Sequence, residues 1–240
     1  MSELPWHDIE CGGYTADLEL WRELAAREAG PVLDVGAGSG RVTLDLAARG
    51  HAVTALDIDP ELLAELSARA DRAGLQVPTA VADAAGFELP GAPFGLILVP
   101  MQTIQMLPGR SARAAFLASA RDHLADRGLL AMTLSEHLRT FEADPEWLPL
   151  PDTGERDGAR YASFPLAIRE RGDVVLLERM RQLTAPDGST TVDYNTVEMA
   201  RLTAAGLEAE VAEAGLRPES RVEVPETELH LGATMVTARG

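Results

Sequence analysis

Val32-Leu33-Asp34-Val35-Gly36-Ala37-Gly38-Ser39-Gly40 is a short apolar run that empties into three alternating glycines. A turn this tight leaves no room for side chains, and glycines there let a ligand approach the backbone. Arg41 to Arg49 follows with helical spacing and stops at Gly50. The segment therefore predicts strand, glycine turn and helix in immediate succession. Ala52 to Leu56 predicts a second buried strand with Asp57 at its end. In a doubly wound sheet that position reaches a ribose, where a carboxylate accepts both hydroxyl hydrogens.

The same alternation extends outward. Tyr14 to Ala29 places Leu18, Trp21, Leu24 and Ala25 at helical spacing before Gly30. Asp59-Pro60 is an N-cap followed by Pro at the first helical position, and that helix runs to Ala73. Val77–Ala82, Leu96–Val99 and Leu129–Leu134 predict three more strands, with a helix over Ser111–Ala125 between the last two. Strands separated by helices mean a parallel sheet covered on both faces. From Arg160 to Val197 the pattern changes to three antiparallel strands, turning at Arg171-Gly172-Asp173 and Ala185-Pro186-Asp187-Gly188. Thr203 N-caps a last helix, and two strands close the chain near Val222 and Met235. The expected organisation is one α/β doubly wound domain over 1–240: a helical segment (1–30), a core (31–140), an antiparallel β insert (141–200) and a closing helix with two strands (201–240).

Composition narrows the chemistry. The 240 residues are 46% hydrophobic, ample for a packed core. All 21 basic residues are Arg, so a Lys Schiff base and a P-loop Lys are both excluded. The net charge of -17 repels phosphate backbones and anionic membranes, so neither nucleic acid nor membrane is an expected partner. The single cysteine, Cys11, makes no internal disulfide and no Cys-rich metal site. The absence of a charged-then-apolar leader, or of an apolar run near ~18 residues, predicts a cytoplasmic protein.

The dinucleotide fingerprint Gly-x-Gly-x-x-Gly would put its third glycine at Arg41. The spacing is instead Gly-x-Gly-x-Gly, with Asp34 two residues before the first glycine. A pyrophosphate wants a bare helix N-terminus, whereas a ligand with an amino-acid tail and a sulfonium wants a nearby carboxylate. Asp34 favours the second. LDVGAGSGR (33–41), TALDIDP (54–60), and ADAAGFELP (82–90) before GLILVP (95–100) together resemble class I S-adenosylmethionine (SAM)-dependent methyltransferases of the small-molecule type. LTAAGLEAEVAEAGL (202–216) and its two strands resemble that family's ending. The resemblance implies a Rossmann-like seven-stranded sheet, mostly parallel with the last strand antiparallel, a SAM-binding core over 31–140 and a substrate cap over 141–200.

Carried over by position, the resemblance implies that Gly36, Ala37, Gly38 and Gly40 border the methionine part of SAM. Asp34 helps hold its amino group, Asp57 the ribose, Ile58 the adenine face, and Asp83 with Ala84 the adenine edge. Tyr14 lies near the SAM carboxylate, and Pro100 completes the set. Asp83 also reads as a turn residue and Tyr14 as a packing residue.

Methyl transfer from SAM mainly needs alignment and exclusion of water, with a base only for a protonated acceptor. Pro100 to Met106 lacks both the Asn/Asp-Pro-Pro-aromatic segment of base-amine methylases and the carboxylate of magnesium-dependent catechol-type enzymes, so no metal is expected. Met101 and Gln102 are candidate substrate contacts, with core packing and loop hydrogen bonding as alternatives. His137 and His230 are candidate bases, against solvated loop positions; His123 reads as a surface residue of an amphipathic helix. Arg179, beside Arg181 on one strand face, suits an anionic acceptor group or simply solvent. Tyr194 suits a pocket wall or a subunit interface. The implied function is transfer of a methyl group to N or O, ahead of C, of a small molecule, by a monomer or homodimer that releases S-adenosylhomocysteine (SAH). Non-methyl-transfer SAM chemistry, such as cyclisation, and a non-catalytic SAM-binding partner subunit are the alternatives.

Overall fold

The structure is a computed structural model that describes residues 2–90, 93–136, 138–144, 146–226 and 232–240. In chain order the elements are α1 (Leu4–Cys11), α2 (Leu18–Arg27), β1 (Val32–Val35), α3 (Arg41–Ala48), β2 (Val53–Asp57), α4 (Pro60–Arg72), β3 (Thr79–Val81) and β4 (Phe94–Val99). Then follow α5 (Thr103–Met106), α6 (Gly109–His123), β5 (Leu124–Leu134), β6 (Phe141–Glu142), β7 (Asp152–Arg156), β8 (Ala159–Arg171), β9 (Val174–Thr184) and β10 (Thr190–Ala200). α7 (Ala204–Glu213), β11 (Arg217–Val224) and β12 (Ala233–Arg239) complete the chain. The chain forms two compact units: Thr15–His137 with Leu202–Gly240, and Met1–Tyr14 with Leu138–Arg201.

The larger unit holds a seven-stranded sheet in the order β11-β12-β5-β4-β1-β2-β3. β1 sits centrally, with Val32 opposite Val53 on one side and Leu96 on the other, all parallel. β12 runs antiparallel to both its neighbours, so six strands share one direction and one opposes them. The Rossmann-like sheet expected from sequence is therefore present. Alternation along the strands feeds apolar side chains to both faces of the sheet. Leu33, Val35, Ile97 and Met132 pack with Phe116 and Leu117 of α6 and Leu207 and Val211 of α7. Val32, Val53, Leu98 and Ala131 pack on the opposite face with Trp21 and Leu24 of α2 and Val42 and Leu46 of α3.

The expected caps are in place. The Asp59 carboxylate accepts the N–H groups of Glu61 and Leu62, and the Thr203 hydroxyl accepts that of Gly206. The helix expected from Tyr14 begins instead at Leu18, with Asp17 at its N-cap position and the Asp17 carboxylate accepting the Trp21 indole N–H at 2.8 Å. Tyr14 thus precedes the helix.

The smaller unit is a sheet ordered β10-β9-β8-β6, with β7 also on β8. Its hairpins turn at Gly172 and Gly188, both at positive φ, as expected. α1 lies on this sheet. Ile9 occupies the space a Cβ on Gly154 would fill, and Trp6 meets Tyr161 edge-on at 5.1 Å. Arg181 sits 5.3 Å over the Trp6 ring and donates to both Glu10 carboxylate oxygens, at 2.9 and 2.8 Å, and to Glu3 at 2.8 Å. Burial pushes the Glu10 carboxyl up, but hydrogen bonds from Arg181 and Ser163 outweigh it and hold it below its ordinary range.

Candidate functional site

β1 delivers the chain into a turn in which Gly36, Gly38 and Gly40 all have positive φ (72°, 54° and 100°). Two of these glycines are also required by packing. A Cβ on Gly36 would lie 2.5 Å from the Thr103 methyl of α5, and one on Gly40 would lie 2.8 Å from Leu66 of α4. The turn is anchored at its base, where the Gly36 and Ala37 N–H groups donate to the Leu56 carbonyl at 2.8 and 3.0 Å. Gly38 N–H donates to Asp57 Oδ2 at 2.7 Å, and Asp59 N–H donates to Oδ1 at 2.9 Å. Asp57 thereby locks the end of β2 to the glycine turn. Each carboxylate oxygen keeps a lone pair for a further donor.

Asp34 is buried at the foot of the turn. Its Oδ2 accepts the Thr43 hydroxyl of α3 at 2.6 Å, while Oδ1 is buried with no hydrogen-bond partner. Burial raises its pKa to about 7; the Thr43 bond and the Arg41 charge pull it down, and the Asp57 charge adds to the rise. Arg41, the residue that displaces the third dinucleotide glycine, donates to both Asp17 oxygens at 2.6 and 2.9 Å. This fork, with Asp17 also holding Trp21, ties α2 to the first turn of α3. The partnership spans 24 positions and has no sequence signature.

Ile58 is 66% exposed just past Asp57. The Asp57 carbonyl accepts Ala82 N–H at 3.0 Å, which brings the start of the Asp83–Ala84 loop to the same edge. Asp83 Oδ1 accepts Ala85 N–H at 2.8 Å, so the turn role anticipated for Asp83 is present. At the exit of β4, Pro100 accepts the Thr103 hydroxyl, and Met101 sits at φ 55°, an uncommon conformation for a residue with a Cβ. Thr133 of β5 braces its carbonyl at 2.7 Å.

Gln102 donates to Ser135 Oγ at 2.9 Å. Gln105, missed in the sequence, spans the Ser135 backbone: it accepts the N–H at 2.7 Å and donates to the carbonyl at 3.1 Å. Glu136 caps α7 through Ala204 N–H and accepts the Thr234 hydroxyl. The candidate bases His137 and His230 lie outside the described residues.

Tyr14, Arg179 and Tyr194 belong to the smaller unit. Tyr14 is buried, and its N–H donates to the Cys11 carbonyl. Arg179 donates to Asp152 at 2.8 Å, so it is paired within its own unit. Its neighbour Arg181 is buried and fully engaged, which corrects the expectation of a solvated pair. Tyr194 is 69% exposed on β10. His123, expected at the surface, is instead buried between α6 and the loop after β3. Among the described residues no cluster of His, Cys, Asp and Glu is arranged to hold a metal.

The seven-stranded sheet, with its glycine turn and antiparallel β12, is the class I methyltransferase fold. Residues 32–128 match a family model described as "Methyltransferase domain". Over its full length the chain is similar to CalS10, an amino pentose methyltransferase from Micromonospora echinaspora solved with SAM bound (TM-score 0.73, 20% identity, 98% of this chain and 96% of that one). It is also similar to the sugar N-methyltransferase KedS8 from Streptoalloteichus sp ATCC 53650 (TM-score 0.74, 19% identity, 98% and 91%). Curated relatives align over shorter stretches. An uncharacterized protein of Mycobacterium bovis is 42% identical over 72 residues, 30% of this chain and 26% of its own length. An rRNA adenine N-6-methyltransferase of Corynebacterium diphtheriae is 32% identical over 71 residues, 30% and 27%. The matched stretch thus spans about a quarter of these relatives.

Proposed function

We propose that the chain is a SAM-dependent methyltransferase that transfers a methyl group to nitrogen or oxygen, ahead of carbon, of a small molecule by in-line displacement. The observation that carries this reading is the buried, unpartnered Oδ1 of Asp34 at the foot of the glycine turn. A buried acceptor left unpaired costs on the order of 1–3 kcal/mol, more when charged. An ammonium such as that of the methionine tail relieves the cost; a dinucleotide pyrophosphate, an anion, does not. The rest of the donor set fits. Asp57 retains lone pairs for two ribose hydroxyls, Ile58 offers an exposed apolar face to a purine, and Asp83 and Ala84 offer polar groups to its edge.

Bound SAM supplies a methyl group on a positive sulfur, already activated for displacement. The chain's residues hold and orient it: Asp34 the ammonium, Gly36, Ala37, Gly38, Gly40 and Pro100 the shape of the methionine side, and Tyr14 the carboxylate. His137 and His230 are the candidate bases for a protonated acceptor. Met101, Gln102, Arg179 and Tyr194 are the candidate acceptor contacts, and the insert over 141–200 serves as the substrate cap.

A net charge of -17 supports a small acceptor over a polyanion. The similarity to an amino pentose methyltransferase and a sugar N-methyltransferase makes aminosugars the first acceptors to try. The test is incubation with methyl-labelled SAM and a panel of aminosugars and hydroxylated small molecules. SAH together with a labelled acceptor is expected. Methylthioadenosine would indicate non-methyl-transfer chemistry, and no turnover of SAM with any acceptor would contradict the catalytic reading.

A further inference from the structure

His123 is the last residue of α6, and none of the roles above uses it. Its two ring nitrogens have partners of opposite kind. Nδ1 lies 2.8 Å from the Ser119 carbonyl, which only accepts, so Nδ1 carries the proton. Nε2 accepts the N–H of Leu89 at 2.9 Å. The ring is therefore neutral in this arrangement. Leu89 belongs to the loop between β3 and β4, six positions after Asp83 and five after Ala84 (89 − 83 and 89 − 84). Two further contacts hold the same loop against α6. Phe87 N–H donates to Ser119 Oγ at 3.3 Å, and the Phe87 ring packs 4.9 Å from the imidazole and 6.5 Å from Phe116. At its other end the loop is tied to β2 by Ala82 N–H on the Asp57 carbonyl. The Asp83–Ala84 segment hangs between these two anchors.

We infer that His123 is a positioning residue for the adenine-side loop, acting through its neutral Nε2 to hold Leu89 and so to set Asp83 and Ala84 for the cofactor. The inference rests on the SAM reading above. A side chain with no acceptor at this position removes the partner of Leu89 N–H. A cleft of about 570 Å³ opens beside the ring, and Glu88 from the loop and Asp122 from α6 line it with His123. Loss of the acceptor at this position frees the loop end at Leu89 and is expected to weaken binding of the adenosyl ligand.

The experiment is calorimetric titration of the full chain with SAH, for the natural protein, His123→Gln and His123→Leu, at pH 8. Gln retains a side-chain oxygen to accept Leu89 N–H; Leu does not. At pH 8, His123→Leu is expected to bind SAH about tenfold more weakly and His123→Gln within about threefold of the natural chain. His123→Phe, which keeps a ring against Phe87 but offers no acceptor, makes the same comparison if His123→Leu fails to fold. Equal affinities for the natural chain, His123→Gln and the variant without an acceptor would overturn the inference and leave the cofactor reading standing. No binding of SAH by the natural chain would overturn both.

Discussion

Asp34 and Asp57 stand one strand apart and face opposite electrostatic situations. Asp57 accepts two backbone N–H groups. Asp57→Ala is expected to weaken SAH binding by about 1.5–3 kcal/mol, the range for a charge-assisted hydrogen bond, with unchanged affinity as the contrary result. Asp34 is a buried carboxyl whose pKa rises from 3.8 to about 7. Below the lower value both folded and unfolded chains hold the proton. Between the two the unfolded chain releases it first, so stability falls as pH rises through that window. The loss is of order 4 kcal/mol at most by pH 7. Asp34→Asn lacks this liability and should gain thermal stability on the natural chain as pH rises from about 4 to about 7. A stability gap that stays constant with pH would contradict the burial account.

At the scale of elements, the glycine turn and the α1 clasp make separate predictions. Gly36→Ala places a Cβ 2.5 Å from Thr103 at a φ of +72°, and should cost about 1–3 kcal/mol in denaturant unfolding. Arg181→Met strands Glu10 on the insert sheet and should cost about 2–4 kcal/mol, part of which Glu10→Leu in the same chain restores. The Glu10 carboxyl sits below its ordinary pKa, so the clasp is intact above the ordinary carboxylate range and is lost as pH falls through the lowered value.

What the sequence disclosed at this scale was local. The β1 turn, the Asp59 and Thr203 caps and the hairpins at Gly172 and Gly188 depend on neighbours within a few positions. The Arg181–Glu10 clasp closes over 171 positions and the Leu89–His123 bond over 34, and no periodicity carries either. α1 escaped notice because its buried residues, Leu4, Pro5 and Trp6, crowd one end instead of recurring at helical spacing. The cofactor side was legible because one strand-turn-helix carries it. The acceptor side was not, because its candidates come from separate loops and strands.

For the whole molecule, the fold is that of the methyltransferases, and no described helix is long and apolar enough to cross a membrane. With a net charge of -17, the protein should show no retention of duplex DNA or RNA in a gel-shift titration at ~0.15 M salt, whereas salt-sensitive binding would redirect the acceptor search to nucleic acid. The cofactor is decided by calorimetric titration of the natural chain with SAM, SAH and NADH in parallel. Binding of the first two without the third is the predicted result; binding of NADH alone, or of none of the three, would contradict it.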